Sequence, residues 1–112
     1  MDGKTPPQKL LPIPVGRALR TTARDLATWR KLRGLTQAQL ADRANVSLGV
    51  VRRLEAADGG VSLENVLRIL RGLGLLEALP AALDPLASDI GRLRADEQLP
   101  RRVRPKRLTS DG

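Results

Sequence analysis

A series of helix-starting and helix-ending residues between Thr22 and Gly74 constrains the fold of this chain more than any other feature. Ser and Thr residues suited to a helix N-cap precede short segments whose apolar residues recur at helical spacing. Gly or Asn residues, which tolerate a left-handed backbone, follow those segments. The pattern predicts an all-α fold of short helices joined by tight turns.

The first predicted helix covers residues 25–33. Thr22 and Asp25 have the spacing of a capping box in front of this helix. In a capping box, the side chain of each residue accepts a hydrogen bond from the main-chain N–H of the other. We expect Leu26 and Trp29 to face inward, because they are three residues apart on a helix.

The second predicted helix, Gln37–Ala44, begins with a clearer capping box formed by Thr36 and Gln39. Asn45 follows it at a point where the chain must turn, and Asn adopts left-handed geometry more readily than most residues. The residues expected to be buried in this helix are Leu40, Ala41 and Ala44.

Ser47 is the N-cap candidate of a third helix that ends at Glu55. Its apolar stripe consists of Val50, Val51 and Leu54. Four other residues are left pointing outward, namely Leu48, Gly49, Arg52 and Arg53.

Ser62 is predicted to cap a fourth helix that continues to Leu73 and ends at Gly74. Its expected core face consists of Leu63, Val66, Leu67 and Leu70. The following segment, LLEALPAALD, is interpreted as a short helix interrupted or restarted at Pro80. This segment has more leucines than the single buried face of a surface helix requires, which favours a dimer contact.

Three regions follow from this pattern: an extended N-terminal arm (1–16), a folded domain (17–83) and a charged, partly disordered tail (84–112). The arm contains four prolines, and a residue before proline is displaced from helical geometry. The arm has no apolar run long enough for a signal peptide or a membrane span, so we expect a cytoplasmic location.

Composition limits the kinds of function. Lys and Arg number 20 against 12 Asp and Glu, giving a net charge of +8 that suits an acidic or polyphosphate partner. The chain has no Cys and no His, and it shows no glycine-rich phosphate loop. These absences remove thiol chemistry, the usual zinc ligands and the commonest general base, so we expect no enzymatic activity, cofactor or metal.

The run LTQAQLADRANVSLGVVRRLE resembles the helix-turn-helix of the Cro/C1 (Xre) family. The resemblance rests on a Thr-Gln pair at the start of the second helix, a small residue within it, a capping Ser and an apolar-x-x-apolar-Glu ending. The matching residues are Thr36, Gln37, Ala41, Ser47, Val51, Leu54 and Glu55. It implies a lambda-repressor-like bundle of about five short helices that binds double-stranded DNA.

The resemblance also implies roles for particular residues. Gln37 and Ser47 would bind phosphates, and the base edges would be met by Leu48, Gly49, Arg52 and Arg53. Arg52 is the preferred reader, because arginine can bind guanine O6 and N7 with two parallel hydrogen bonds. The alternative for both arginines is a solvated helix face. Arg30 and Glu55 match positions that form an internal ion pair in related repressors, which favours a structural role.

The residues after Val51 also resemble HipB-type antitoxins, on the segments VRRLEAADGGVSLENVLRILRGLGLL and PLASDIGRLRADEQLPRRVR. This resemblance implies a homodimer on an inverted-repeat operator in its own promoter, and a HipA-like serine/threonine kinase toxin as partner. The alternatives are a plain autoregulator without a toxin and a helical bridging protein that acts mainly through protein contacts.

A basic cluster lies at residues 101–107. Arg102 and Arg104 in this cluster are candidate phosphate contacts. The same cluster could instead bind an acidic protein or remain a solvated tail.

Overall fold

The computed structural model describes residues 10–99, and within this range the chain forms six α-helices and a short 3-10 turn, with no β-strand. The all-α prediction is therefore confirmed. The helices are α1 (Ile13–Leu32), α2 (Gln37–Ala44), α3 (Leu48–Glu55), α4 (Leu63–Gly72), α5 (Ala78–Leu83) and α6 (Asp89–Gln98). The 3-10 turn, Pro85–Ala87, lies between α5 and α6.

The chain divides into two compact units between Leu76 and Glu77. The first unit contains α1 to α4, and the second contains α5, the 3-10 turn and α6. The division falls inside the region 17–83 that the sequence pattern treats as one domain. None of the helices within residues 10–99 combines the length and apolarity needed to cross a membrane.

Helix α1 is far longer than the sequence pattern predicts. It begins at Ile13 after the N-cap Pro12, so the expected start at residue 25 and the extended arm reaching residue 16 are wrong for this segment. Pro14 stands in the first turn, where no main-chain N–H is needed and the fixed φ of proline suits a helix. The Thr22–Asp25 spacing therefore falls inside a helix and caps nothing.

The second helix matches its prediction at both ends. The Thr36 hydroxyl accepts a bond from the Gln39 N–H, the Gln39 side chain accepts one from the Thr36 N–H, and both distances are near 3 Å. Asn45 ends the helix in the left-handed conformation, with φ 56° and ψ 47°. The predicted burial of Leu40, Ala41 and Ala44 is also confirmed.

Helix α2 packs on both α3 and α4, and α1 packs against α3. Gly72 allows α2 and α4 to come close, because a Cβ at this position would lie 3.3 Å from the main-chain N of Ala44. The resulting core is aliphatic and is formed by Ala23, Leu26, Leu40, Ala41, Ala44, Val51, Leu54, Ile69, Leu70 and Leu73.

Helix α4 buries a face shifted from the predicted one. Leu63, expected in the core, is 62% exposed, whereas Ile69 and Leu73 are each 1% exposed. Of the other predicted core residues, Leu70 is buried, and Val66 and Leu67 are half-buried. Ser62 caps the helix as predicted, accepting a bond from the Asn65 N–H.

The second unit contains more regular structure than the sequence pattern predicts. Pro80 occupies the first turn of α5 and does not interrupt it. Helix α6, which the prediction places in a partly disordered tail, is capped by Ser88 and packs on the 3-10 turn. Gly91 makes this packing possible, since a Cβ there would lie 1.7 Å from the Pro85 carbonyl oxygen.

Candidate nucleic-acid interface

Helix α3 is short and is held by one face. The Ser47 hydroxyl accepts a bond from the Val50 N–H at 3.2 Å, which fixes the start of the helix. Val51 and Leu54 are buried, at 1% and 5% exposure, while Val50 is half-buried. Eight residues give a helix about 12 Å long, comparable with the width of the major groove.

The opposite face of α3 carries the residues that the sequence pattern points outward. Gly49, Arg52 and Arg53 are exposed, and Leu48 is half-buried. A Cβ at Gly49 would meet nothing closer than the Ser47 hydroxyl at 3.8 Å, so the surface here is open as well as small. This face therefore has little side-chain bulk at Gly49 and carries two arginines at its C-terminal end.

The two arginines differ in their surroundings. The Arg53 Nε donates to Asp58 at 3.2 Å, with both side chains about half exposed, and Asp58 also accepts a bond from the Gly60 N–H. The side chain of Arg52 makes no hydrogen bond or ion pair with any residue in the range 10–99. The guanidinium of Arg52 is thus available to a ligand, whereas that of Arg53 first has to share or leave Asp58.

Behind α3 lies a buried polar network that joins three helices. The Arg30 guanidinium donates to both carboxylate oxygens of Glu55, at 2.7 and 3.1 Å, and to the Leu35 carbonyl oxygen at 2.8 Å. The side chains of Arg30 and Glu55 are 12% and 9% exposed. The internal ion pair implied by the family resemblance is therefore present.

Gln37 also belongs to this network, a role that the sequence analysis did not predict. Its side-chain amide donates to the Glu55 carboxylate at 2.9 Å. The main-chain N–H of Gln37 lies in the first turn of α2, where a helix has no acceptor of its own. The side chain thus fixes the start of α2 relative to the end of α3, and the main chain there presents a donor outward.

Trp29 does not face inward as predicted, since it is 39% exposed. The guanidinium of Arg33 lies over its ring, 5.2 Å from the centroid, and the Arg33 Nε donates to the Leu73 carbonyl oxygen at 3.0 Å. The pair therefore links the end of α1 to the end of α4. A Trp and an Arg four residues apart on a helix are a detectable signal for such stacking.

Two of the predicted phosphate contacts, Arg102 and Arg104, lie outside the described residues. Within the described range no cluster of acidic side chains is arranged to hold a metal ion.

Comparison with protein families gives one match: residues 26–78 fit a family model described as Helix-turn-helix. Comparison with curated proteins and with solved structures gave no match. The matched segment extends from the middle of α1 into the start of α5 and contains the whole of α2, α3 and α4. This part of the chain is therefore similar to a Cro/C1-type helix-turn-helix domain, and that similarity supports a DNA-binding transcription regulator.

Proposed function

We propose that this regulator is a sequence-specific repressor that inserts α3 into the major groove of double-stranded DNA. The observation that carries the proposal is the division of α3 into a buried apolar face and an open face with an unengaged arginine, Arg52. A major groove accepts a helix, and arginine matches the two acceptors of guanine.

In this proposal, different residues around α3 bind the phosphates and the base edges. The start of α2 at Gln37 and the start of α3 at Ser47 bind phosphates, because main-chain N–H groups at helix starts suit anions. Contacts with the base edges come from Leu48, Gly49, Arg52 and Arg53. Leu48 offers an apolar contact to a thymine methyl group, and Gly49 offers only main chain.

We also propose that two copies bind one inverted repeat. A helix of eight residues reads few base pairs, and two-fold symmetry would place a second copy of α3 about 34 Å away, one turn of DNA. The second unit supplies apolar surface beyond what DNA binding requires. Its exposed large apolar residues include Leu83, Leu86, Ile90 and Leu93.

The partner protein is proposed on the resemblance to HipB-type antitoxins. In that role the chain represses its own operon and restrains a HipA-like serine/threonine kinase. The phosphate contacts proposed for Arg102 and Arg104 rest on the basic composition of residues 101–107.

The experiment that tests the repressor is footprinting of the DNA upstream of the gene with the full chain. Protection of an inverted repeat, together with a dimer in sedimentation of the protein–DNA complex, is the expected result. Uniform binding to all DNA would overturn the proposed sequence specificity.

A pull-down of the tagged chain from its own cells tests the partner. A kinase of the HipA type should co-purify, and deletion of residues 84–112 should release it. A chain that protects the operator but retains no kinase is a plain autoregulator. A chain whose partner binding and cellular effect survive Arg52→Ala and Arg53→Ala unchanged is a bridging protein.

A further inference from the structure

Helix α1 extends well beyond the helix-turn-helix match. The match begins at residue 26, whereas α1 begins at Ile13. The thirteen preceding helical residues add about 20 Å of helix at the usual rise per residue. These residues contribute little to the core: Gly16 and Ala23 are buried and Leu19 is half-buried.

This added segment carries a basic stripe, which we define as Arg17, Arg20 and Arg24. The three residues are separated by three and four positions, so they lie on one face of the helix, and all three are exposed. The first turn of α1 contains no acidic residue. Within residues 10–99, the ion pair that the stripe makes is between Arg24 and Asp25 at 3.7 Å, with both side chains more than half exposed, and such a contact neutralises little charge.

The basic stripe also lies near the end of α3. Leu19, on the same segment, packs against the turn that follows α3, where a Cβ on Gly59 would lie 3.3 Å from a Leu19 methyl group. That turn contains Asp58, the partner of Arg53. The added segment of α1 is therefore attached beside the C-terminal end of the helix proposed to enter the groove.

We propose that the basic stripe binds the sugar-phosphate backbone next to the groove occupied by α3, so that the regulator makes sequence-independent contacts beyond its helix-turn-helix. The inference rests on the proposed function. A linear row of cations fits the regularly spaced charges of a DNA strand. Only Ala, Thr and the half-buried Leu19 stand between the arginines, and the exposed apolar residues of this segment, Ile13 and Val15, lie before them in the first turn. The stripe itself therefore lacks the aromatic and apolar anchors typical of a protein interface.

The test compares three variants of the full chain by DNA-binding titration at several salt concentrations. The first is R17A/R20A/R24A, and the second, R17K/R20K/R24K, keeps the charge. The third, R43A/R71A/R94A, removes three exposed arginines elsewhere and matches the loss of charge.

Each phosphate contact contributes about 0.9 to the slope of log affinity against log salt, so the first variant should reduce that slope by about 2 to 3. Its preference among DNA sequences should stay unchanged, because Arg52 is intact. The lysine variant should keep most of the slope, and the charge-matched variant should reduce it by less than 1. Thermal unfolding of each variant verifies that the fold is retained.

A slope for R17A/R20A/R24A equal to that of the wild type, or to that of R43A/R71A/R94A, would overturn the proposal. If the alanine variant keeps the wild-type slope but loses a co-purifying acidic protein, the stripe binds protein instead. These outcomes differ from failure of the proposed function, in which the wild-type chain itself would show no sequence preference.

Discussion

Arg30 and Glu55 form a largely buried ion pair that joins the end of α3 to α1, with Nε and Oε2 2.7 Å apart. Both carboxylate oxygens are used, since Gln37 shares Oε1 with the second guanidinium nitrogen. The last residue of α3 is thus tied to α1 and to the first residue of α2. The orientation of α3 depends on a polar network behind the proposed DNA-binding surface.

Breaking this pair should be costly. Glu55→Ala leaves a guanidinium without its counter-ion in a buried place, and such a change costs about 3 to 5 kcal/mol of unfolding free energy. Urea unfolding followed by circular dichroism measures the loss. The control is Arg30→Met combined with Glu55→Leu, which removes both charges at similar volume and should lose less than Glu55→Ala alone. A loss below about 1 kcal/mol in Glu55→Ala would contradict the structural role.

Arg52→Ala should weaken binding to the cognate operator by about 1 to 3 kcal/mol and relax the preference at one base pair. The physical reason is the loss of a paired hydrogen bond to one base. Arg71→Ala is the matched control, because it removes the same charge from an exposed position of α4. Binding to a set of operators with single base-pair changes distinguishes the two. Equal weakening of every operator by Arg52→Ala would exclude base recognition by this residue.

Ala57→Gly should stabilise the protein by about 1 kcal/mol, because a non-glycine residue in the left-handed region is strained by its Cβ. Ala57 has φ 64° in the turn after α3. Ala56, with φ −87°, provides the control, since Ala56→Gly relieves no strain and should not stabilise. Thermal unfolding measures both variants, and a lower midpoint for Ala57→Gly would show that the turn is not strained.

Gly91→Ala should separate the 3-10 turn from α6, because the new methyl group would overlap the Pro85 carbonyl. Amide exchange in residues 84–99 should become faster, and the proposed dimer should weaken if this unit forms its interface. Arg94→Ala changes an exposed side chain of the same helix and should leave the exchange unchanged. Unaltered protection in Gly91→Ala would be inconsistent with the close packing.

Replacing Arg102 and Arg104 by Ala should reduce the salt slope of DNA binding by about 2 if both contact phosphate. The double change Arg71→Ala and Arg94→Ala removes the same charge from exposed positions and should have a smaller effect. Equal slopes for the wild type and the tail variant would assign the basic cluster another role.

The sequence by itself determined the features that rest on bonds between near neighbours. Thr36 and Gln39 cap each other across three residues, and the hydroxyls of Ser47 and Ser62 each accept a bond from the main-chain N–H three residues later. The left-handed turn at Asn45 is equally local. Such bonds depend on residues close in sequence, so the limits of α2 and α3 could be predicted.

Tertiary structure decided which faces are buried and which charges are paired. The apolar periodicity of α4 is compatible with more than one buried face, and it does not tell which face α2 covers. In the structure Leu63 is exposed, whereas Ile69 and Leu73 are buried. The sequence also leaves both Arg52 and Arg53 on the outward face of α3 without naming a partner for either, whereas in the structure the turn after α3 brings Asp58 to Arg53 and not to Arg52. Burial and long-range pairing depend on where other helices lie, and that information is absent from any single segment of the chain.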